Sequence, residues 1–207
     1  IWDGGLGLDG GYVADGRWHH MALVVDGASG RLYVDGLLRS TLGWIGTAGP
    51  TTTTEPLQFA RYYNYPDALK GQLDEIALWS RALTAQEIIN LIPGRTTREA
   101  ADLIGYWSLD EGPGHIVNDA SGSGYSGTLR NGPTRILSTA PLDANPNAGT
   151  AIHFDGANDV VQVAHDSALN AFPLTVTTWV KTLRNTPDYF GVVNKYFGGS
   201  GNGYSLH

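Results

Sequence analysis

One stretch of this chain carries helical periodicity, and the rest of it reads as strands and turns. The stretch is "TAQEIINLI", residues 84–92. Thr84 stands as N-cap, Glu87 three residues on completes a capping box, and Ile88, Leu91 and Ile92 share one face. Elsewhere the apolar residues come in short alternating or continuous runs, punctuated by 28 glycines and rich in Thr, Val and Tyr, the composition of many short strands joined by tight turns. In "RWHHMALVVDGASGRLYVDGLL" Met21 to Val25 reads as a buried strand, "DGASG" turns, Arg31 to Val34 returns with Leu32 and Val34 on one face, and Asp35-Gly36 turns again. "LQFARYY" and "GQLDEIALWSRAL" supply two further strands, and "IGTAGPTTTTEP", residues 45–56, reads as an exposed irregular loop. "LIGYWSLDEG", "AIHFDGANDVVQVA", "LTVTTWVKT" and "YFGVVNKYF" alternate as half-buried strands separated by Gly, Asn and Asp turns.

At 207 residues the chain fits one large all-β domain or two small ones. A formal charge of −7 with no basic cluster argues against nucleic acid and suits cations or neutral ligands. No stretch approaches the roughly 20 apolar residues of a membrane helix, so no membrane insertion is expected. There is no cysteine, which excludes disulfides and thiolate metal sites. One segment, "PGRTTREAAD" at residues 93–102, reads as a linker, because Pro-Gly ends the helix and no periodic pattern follows. It places a boundary near residue 97.

Five motifs, "DGRWHHMALVVDGASGRLYVDG", "GQLDEIALWSRALTAQEI", "LIGYWSLDEGPG", "NDASGSGYSGTL" and "AIHFDGANDVVQV", together resemble the laminin-G-like, concanavalin A-like jelly-roll family over most of the chain. The resemblance implies an all-β, two-sheet antiparallel jelly-roll sandwich with one short helix. The order of the motifs is permuted, since the family's "YWSLDE" strand comes first and its "LDEIALW" segment closes the domain. Residues 1–92 thus resemble the C-terminal half of one jelly roll, 93–102 a linker, and 103–207 the N-terminal half of another. The ends, "IWDGGLGLDGG" and "GNGYSLH", read as the two sides of one strand-turn-strand unit. The expectation is one period of a tandem array or filament, with neighbouring copies completing open strand edges, or else a circular permutant.

For metal binding, adjacent His19 and His20 point to opposite faces of a strand and cannot share an ion, so one is expected to pack in the sandwich and the other to be exposed. "GLGLDG" at residues 5–10 matches a dinucleotide fingerprint literally but lacks a strand-to-helix setting, and it reads as a turn, as does "GGSGNG" at 198–203. The best metal candidate is a structural calcium ion. "NDASGSGYSG" sets Asn118, Asp119, Ser121 and Ser123 in a glycine-rich loop able to turn oxygens inward. Asp74, a carboxylate among apolar strand residues, needs neutralising. The resemblance implies a structural calcium where first and last strands adjoin, bringing Asp74 towards Asp110 and Asp119. The alternative is that Asp74 or Glu75 pairs with Arg81 or caps a turn. "DGAND", residues 155–159, is a weaker acidic turn.

Catalysis is not expected. Glycan hydrolases of this architecture carry alternating acidic residues on one strand, no such pattern is present, and Asp74 and Glu75 are expected on opposite faces. No G-x-S-x-G elbow and no cysteine nucleophile occur. The candidate sugar-stacking aromatics are Trp44 and the "RYYNY" residues Tyr62, Tyr63 and Tyr65, in or beside loops, with core or an interface between copies as their alternative. Trp18, Trp79, Trp107 and Trp179 fall inside strand patterns and are expected in the core. The function that follows is a non-catalytic extracellular or cell-surface repeat, partnered by neighbouring copies and by matrix glycans, in adhesion or surface architecture. The alternative is a calcium-dependent carbohydrate-binding module of a larger secreted protein or glycan-active enzyme.

Overall fold

The computed structural model describes residues 7–62, 68–93, 100–142, 149–183, 190–197 and 202–207. Its strands run in chain order β1 (Trp18–Val25), β2 (Ser29–Val34), β3 (Leu37–Gly43), β4 (Leu57–Phe59) and β5 (Lys70–Trp79). The helix α1 (Ala85–Leu91) follows. Beyond it come β6 (Leu103–Trp107), β7 (Ile116–Val117), β8 (Gly127–Arg130), β9 (Thr134–Leu137), β10 (Thr150–Asp155), β11 (Val160–Val163), β12 (Leu174–Thr182), β13 (Val193–Phe197) and β14 (Asn202–Leu206). Two antiparallel sheets result. The larger has the order β3-β2-β1-β12-β5-β10-β9, with β6 also on β5, and the smaller the order β14-β13-β4-β11-β8-β7.

Both sheets mix strands from either side of residues 93–102. β1 lies along β12 over its whole length, with Trp18 opposite Lys181 and Val25 opposite Leu174. β4, three residues long, is gripped between β11 and β13. The boundary expected near residue 97 falls outside the described residues. The turn between β2 and β3 has φ +53° at Asp35 and +77° at Gly36, the left-handed pair whose twist matches a two-residue hairpin.

Alternation explains how the sandwich closes. Leu73, Ile76 and Leu78 of β5, Leu174, Val176 and Val180 of β12, and Ile152 and Phe154 of β10 point between the sheets. They meet Phe59, Val161, Val163 and Tyr204 from the smaller sheet. Trp107 is fully buried there, edge-on to Phe59 at 5.0 Å between ring centroids. The larger sheet also carries apolar residues on its outer face. Ala22, Val24, Tyr33, Ala77, Trp79 and Tyr106 form a second cluster with Leu83 and with Ile88 of α1. The capping box is in place, with Thr84 Oγ1 accepting from the Glu87 N–H and a Glu87 carboxylate oxygen accepting from the Thr84 N–H at 2.8 Å. α1 thus roofs one half of the outer face.

The other half begins at a fault in β5. Leu73 and Ile76 both face the inter-sheet core, so two residues, Asp74 and Glu75, separate them instead of one. Glu75 is left-handed at φ +50°, and the register against β12 shifts between Thr177 and Trp179. The expected placing of Asp74 and Glu75 on opposite faces is therefore corrected. A bulge breaks the two-residue period on which that expectation stood. Here β5 also changes neighbour, from β10 opposite residues 70–73 to β6 opposite residues 76–79.

Candidate functional site

Below the bulge the outer face of the larger sheet is open. Gln72, Lys181 and His153 adjoin Leu73, Val180 and Ile152, which point into the core, so the three polar side chains project outward. Registers put them in one cross-strand row, Trp18–Lys181–Gln72–His153–Thr134, running over β1, β12, β5, β10 and β9. Directly paired residues lie about 5 Å apart, so Lys181 and His153 are roughly 10 Å from each other across Gln72. Lys70 stands one pleat along β5, opposite Asp155 of β10.

A cleft of about 710 Å³ opens over this patch, lined by Lys70, Gln72, His153, Asp155, Lys181 and Thr182, with Gly16, Gly71, Gly156 and Leu183 as its small and apolar walls. That volume lies in the range of small-ligand sites. Two glycines shape it. A Cβ on Gly71 would sit 2.3 Å from the Lys181 carbonyl oxygen, so β5 and β12 approach closely only because position 71 has no side chain. Gly16, at φ +79°, donates its N–H to the Thr182 carbonyl at 2.9 Å and fixes one rim. The lining offers two ammonium groups, an amide, an imidazole, a hydroxyl and one carboxylate, a set suited to hydrogen-bonding a ligand rich in hydroxyl groups.

The bulge beside the cleft is a closed polar seam. Asp74, 1% exposed, accepts from the Glu75 N–H at 2.9 Å and from Ser138 Oγ. Glu75 accepts the Tyr106 hydroxyl proton. Thr178 Oγ1 donates to the Asp74 carbonyl at 3.1 Å. The pairing of Asp74 or Glu75 with Arg81 is corrected as well, since Arg81 goes to Glu87 at 2.7 Å and to Asp102 at 3.7 Å. The next segment along from Ser138 also closes the sheet: Trp18 Nε1 donates to Thr139 Oγ1 at 3.0 Å.

Of the other residues singled out in the sequence, Asp155 and Gly156 of the 155–159 turn line this cleft, and the calcium candidates Asp110, Asn118, Asp119 and Ser121 are not among its lining residues. Asp119 collects backbone donors, with Oδ1 accepting from Tyr106 and Ser121 and Oδ2 from Tyr125, at 2.9 to 3.0 Å. Ser121 Oγ accepts from the Ser123 N–H, and the Asn118 N–H is taken by Glu111. Asp110 Oδ1 accepts from the Thr150 N–H at 2.8 Å. Asp74, Asp110 and Asp119 thus each serve a different stretch of backbone, and among the described residues no three His, Asp or Glu side chains converge as a metal site. In the 155–159 turn Asp155 accepts from the Ala157 N–H, and Asp159, 2% exposed, accepts from the Asp155 N–H. Burial raises the Asp159 pKa.

Trp44 is half-buried against the core, its Nε1 donating to the Asp26 carbonyl at 2.7 Å. Tyr62 stacks on Tyr196 at 5.8 Å and lies 5.3 Å from the His207 ring. Tyr63 and Tyr65 lie outside the described residues. Trp79, Trp107 and Trp179 are buried as expected, whereas Trp18, half-buried, ends the polar row. His20 is buried edge-on to Trp179 at 5.4 Å, while His19, whose side chain is only 15% exposed, is held between Asp15 at 3.1 Å and Asp35 at 2.8 Å.

Sequence reasoning did not find Lys70, Gln72, His153 and Lys181. Each stands at the solvent position of an alternating run, such as His153 between Ile152 and Phe154, but only the strand order makes them neighbours.

Residues 3–89 match the family described as the concanavalin A-like lectin/glucanases superfamily, in its laminin-G-type branch. No curated protein and no solved structure matches the chain significantly. Strands of the matched segment complete both sheets, so residues 3–89 are similar to that superfamily, and the chain as a whole folds as a two-sheet antiparallel jelly-roll sandwich.

Proposed function

We propose that this is a non-catalytic saccharide-binding domain acting in adhesion outside the cell, with its ligand seated in the cleft over β5, β10 and β12. The observation that carries the reading is the polar row Lys181–Gln72–His153 on a sheet face whose other half is roofed by α1. Hydrogen-bonding side chains spaced about 5 Å apart on a rigid sheet match the spacing of hydroxyl groups along a sugar chain. The donor set supports a reading without catalysis. Asp155 is the one carboxylate among the described lining residues, whereas glycoside hydrolysis uses two, flanking the scissile bond.

The test is a panel of immobilised oligosaccharides probed with the intact 207-residue chain and with Gln72→Ala and His153→Ala. Retention of at least one oligosaccharide, weakened about tenfold or more in each variant, is the expected result, since a polar contact of this kind contributes on the order of 1–2 kcal/mol. An empty panel, or variants that bind as the parent does, would overturn the reading.

A second reading, assembly with neighbouring copies, is favoured by the edge strand β3. Leu37 and Leu38 are 59% and 53% exposed, and Ile89 of α1 is 43% exposed. An open edge carrying apolar side chains is a pairing surface. Light scattering across a concentration series checks it: association that Leu38→Glu abolishes supports the contact, and a monomer at every concentration removes it.

A further inference from the structure

We infer that His19 is a proton-operated latch on one wall of the cleft: as an imidazolium it ties the segment before β1 to the β2–β3 turn, and on losing its proton it releases that wall. The inference concerns the shape of the cleft and holds whatever ligand the cleft takes. Gly16, Thr182 and Leu183 form the wall in question. The Gly16 N–H donates to the Thr182 carbonyl at 2.9 Å, and Leu183 lies against Gly16, its Cδ2 2.7 Å from where a Cβ would stand. Further up the segment the hydrogen bonds are internal, with the Gly11 N–H donating to Asp9 and the Tyr12 hydroxyl to the Ala14 carbonyl. The second polar tie from this segment to the sandwich is Asp15, beside Gly16, whose Oδ1 meets His19 Nε2 at 3.1 Å.

His19 is gripped on both ring nitrogens. Its Nδ1 lies 2.8 Å from Asp35 Oδ2 in the β2–β3 turn, and the other Asp35 oxygen accepts the His20 N–H at 2.9 Å. Both ring contacts are hydrogen bonds only when both nitrogens carry protons. A neutral imidazole has one donor and one acceptor, and the acceptor would face a carboxylate. Burial alone would lower the His19 pKa, but Asp35 and Asp15 raise it. The latch is therefore shut below that raised pKa and opens as pH climbs through it. Asp15 is the contact surrendered. Asp35 is nearer and is fixed by its second bond to β1, whereas Asp15 stands on a loop and has Arg17 as another partner, through its N–H at 2.8 Å and its Nε at 3.8 Å. Among the described residues no further charge acts on the ring. From β12, Val180 stands opposite His19, and Lys181 stands opposite Trp18 on the outer face. On β1 itself, His20 turns the other way against Trp179, and burial lowers its pKa to about 4, so it stays neutral while His19 titrates.

The test is amide exchange followed by NMR on the intact chain from pH 5 to 8.5, expressed as protection factors so that base catalysis of exchange is removed, with the His19 ring titrated in the same samples. The expected result is a His19 midpoint above the ordinary value of about 6.5 and a fall of about tenfold in Gly16 protection with that same midpoint. Leu23, paired between β2 and β12, should keep its protection. His19→Gln and Asp15→Asn should each flatten the Gly16 profile. Constant Gly16 protection across the His19 titration, a midpoint at or below the ordinary value, or a profile that persists in both variants would overturn the inference. A fall shared equally by Leu23 would mark a general loosening of the sheet and would overturn it too.

Discussion

Adjacent residues on β1 respond to protons in opposite directions. His20 is 3% exposed against Trp179, and burial lowers its pKa to about 4 despite the nearby Asp35. An unfolded His20 binds its proton near pH 6.5, so between pH 6.5 and 4 the unfolded state holds more protons and stability falls as pH falls, by up to about 3 kcal/mol. His19 is the converse. Burial works to lower its pKa, but the Asp35 and Asp15 carboxylates outweigh that and raise it. Its contribution is full below the unfolded value and is lost as pH rises through the folded one. Urea denaturation from pH 4 to 8 should show this: His20→Phe flattens the acid limb, and His19→Asn costs stability at pH 5 but little at pH 8. Lys195 gives a third window. Burial depresses its pKa to about 8, so stability should climb between pH 8 and 10.5 as the unfolded chain alone keeps the proton. Lys195→Met should remove that climb, which the same denaturation series extended to alkaline pH would record.

At the scale of elements, the loop between β7 and β8 is organised by one carboxylate. Asp119 holds the N–H groups of Tyr106, Ser121 and Tyr125, and so ties β6 to the loop. Asp119→Ala strands these donors and should cost about 2–4 kcal/mol by thermal unfolding. The loss should be the same with calcium or with a chelator present, because the bonds at risk are to the backbone. A calcium-dependent loss would instead mark Asp119 as a ligand. The elements also show what a sequence can display. β1, β2, β5 and β12 are long enough for alternation to be read, and α1 announces itself through Thr84 and Glu87. β7 has two residues, and β8 and β9 have four each with exposed positions among them, too few for any period to register. The bulge at Asp74 and Glu75 was hidden for a related reason, since strict alternation was the only rule available for locating their side chains. The cleft was hidden more deeply: His153, Gln72 and Lys181 are unremarkable in their own strands and become a site only through the order β12-β5-β10.

For the molecule as a whole, the interleaving of strands from before residue 93 and after residue 102 leaves neither portion a sheet of its own to keep. β5 pairs with β12, β10 and β6, all from the later portion, and β4 is held between β11 and β13. The chain should therefore unfold in one transition. Differential scanning calorimetry checks this: matching calorimetric and van't Hoff enthalpies are expected, and two resolved peaks would mean independent halves.

The pairing of β1 with β12 also sets a schedule for synthesis. A ribosome adding roughly 5–20 residues per second brings out Met21, Leu23 and Val25 on the order of ten seconds or more before their partners Thr178, Val176 and Leu174 exist. For that interval the nascent chain displays an apolar hairpin, β1 with β2, whose inner edge has nothing to dock on. Its safe delivery is then a matter of timing and of chaperone cover, and a truncation anywhere before β12 should yield an aggregating product instead of a smaller domain.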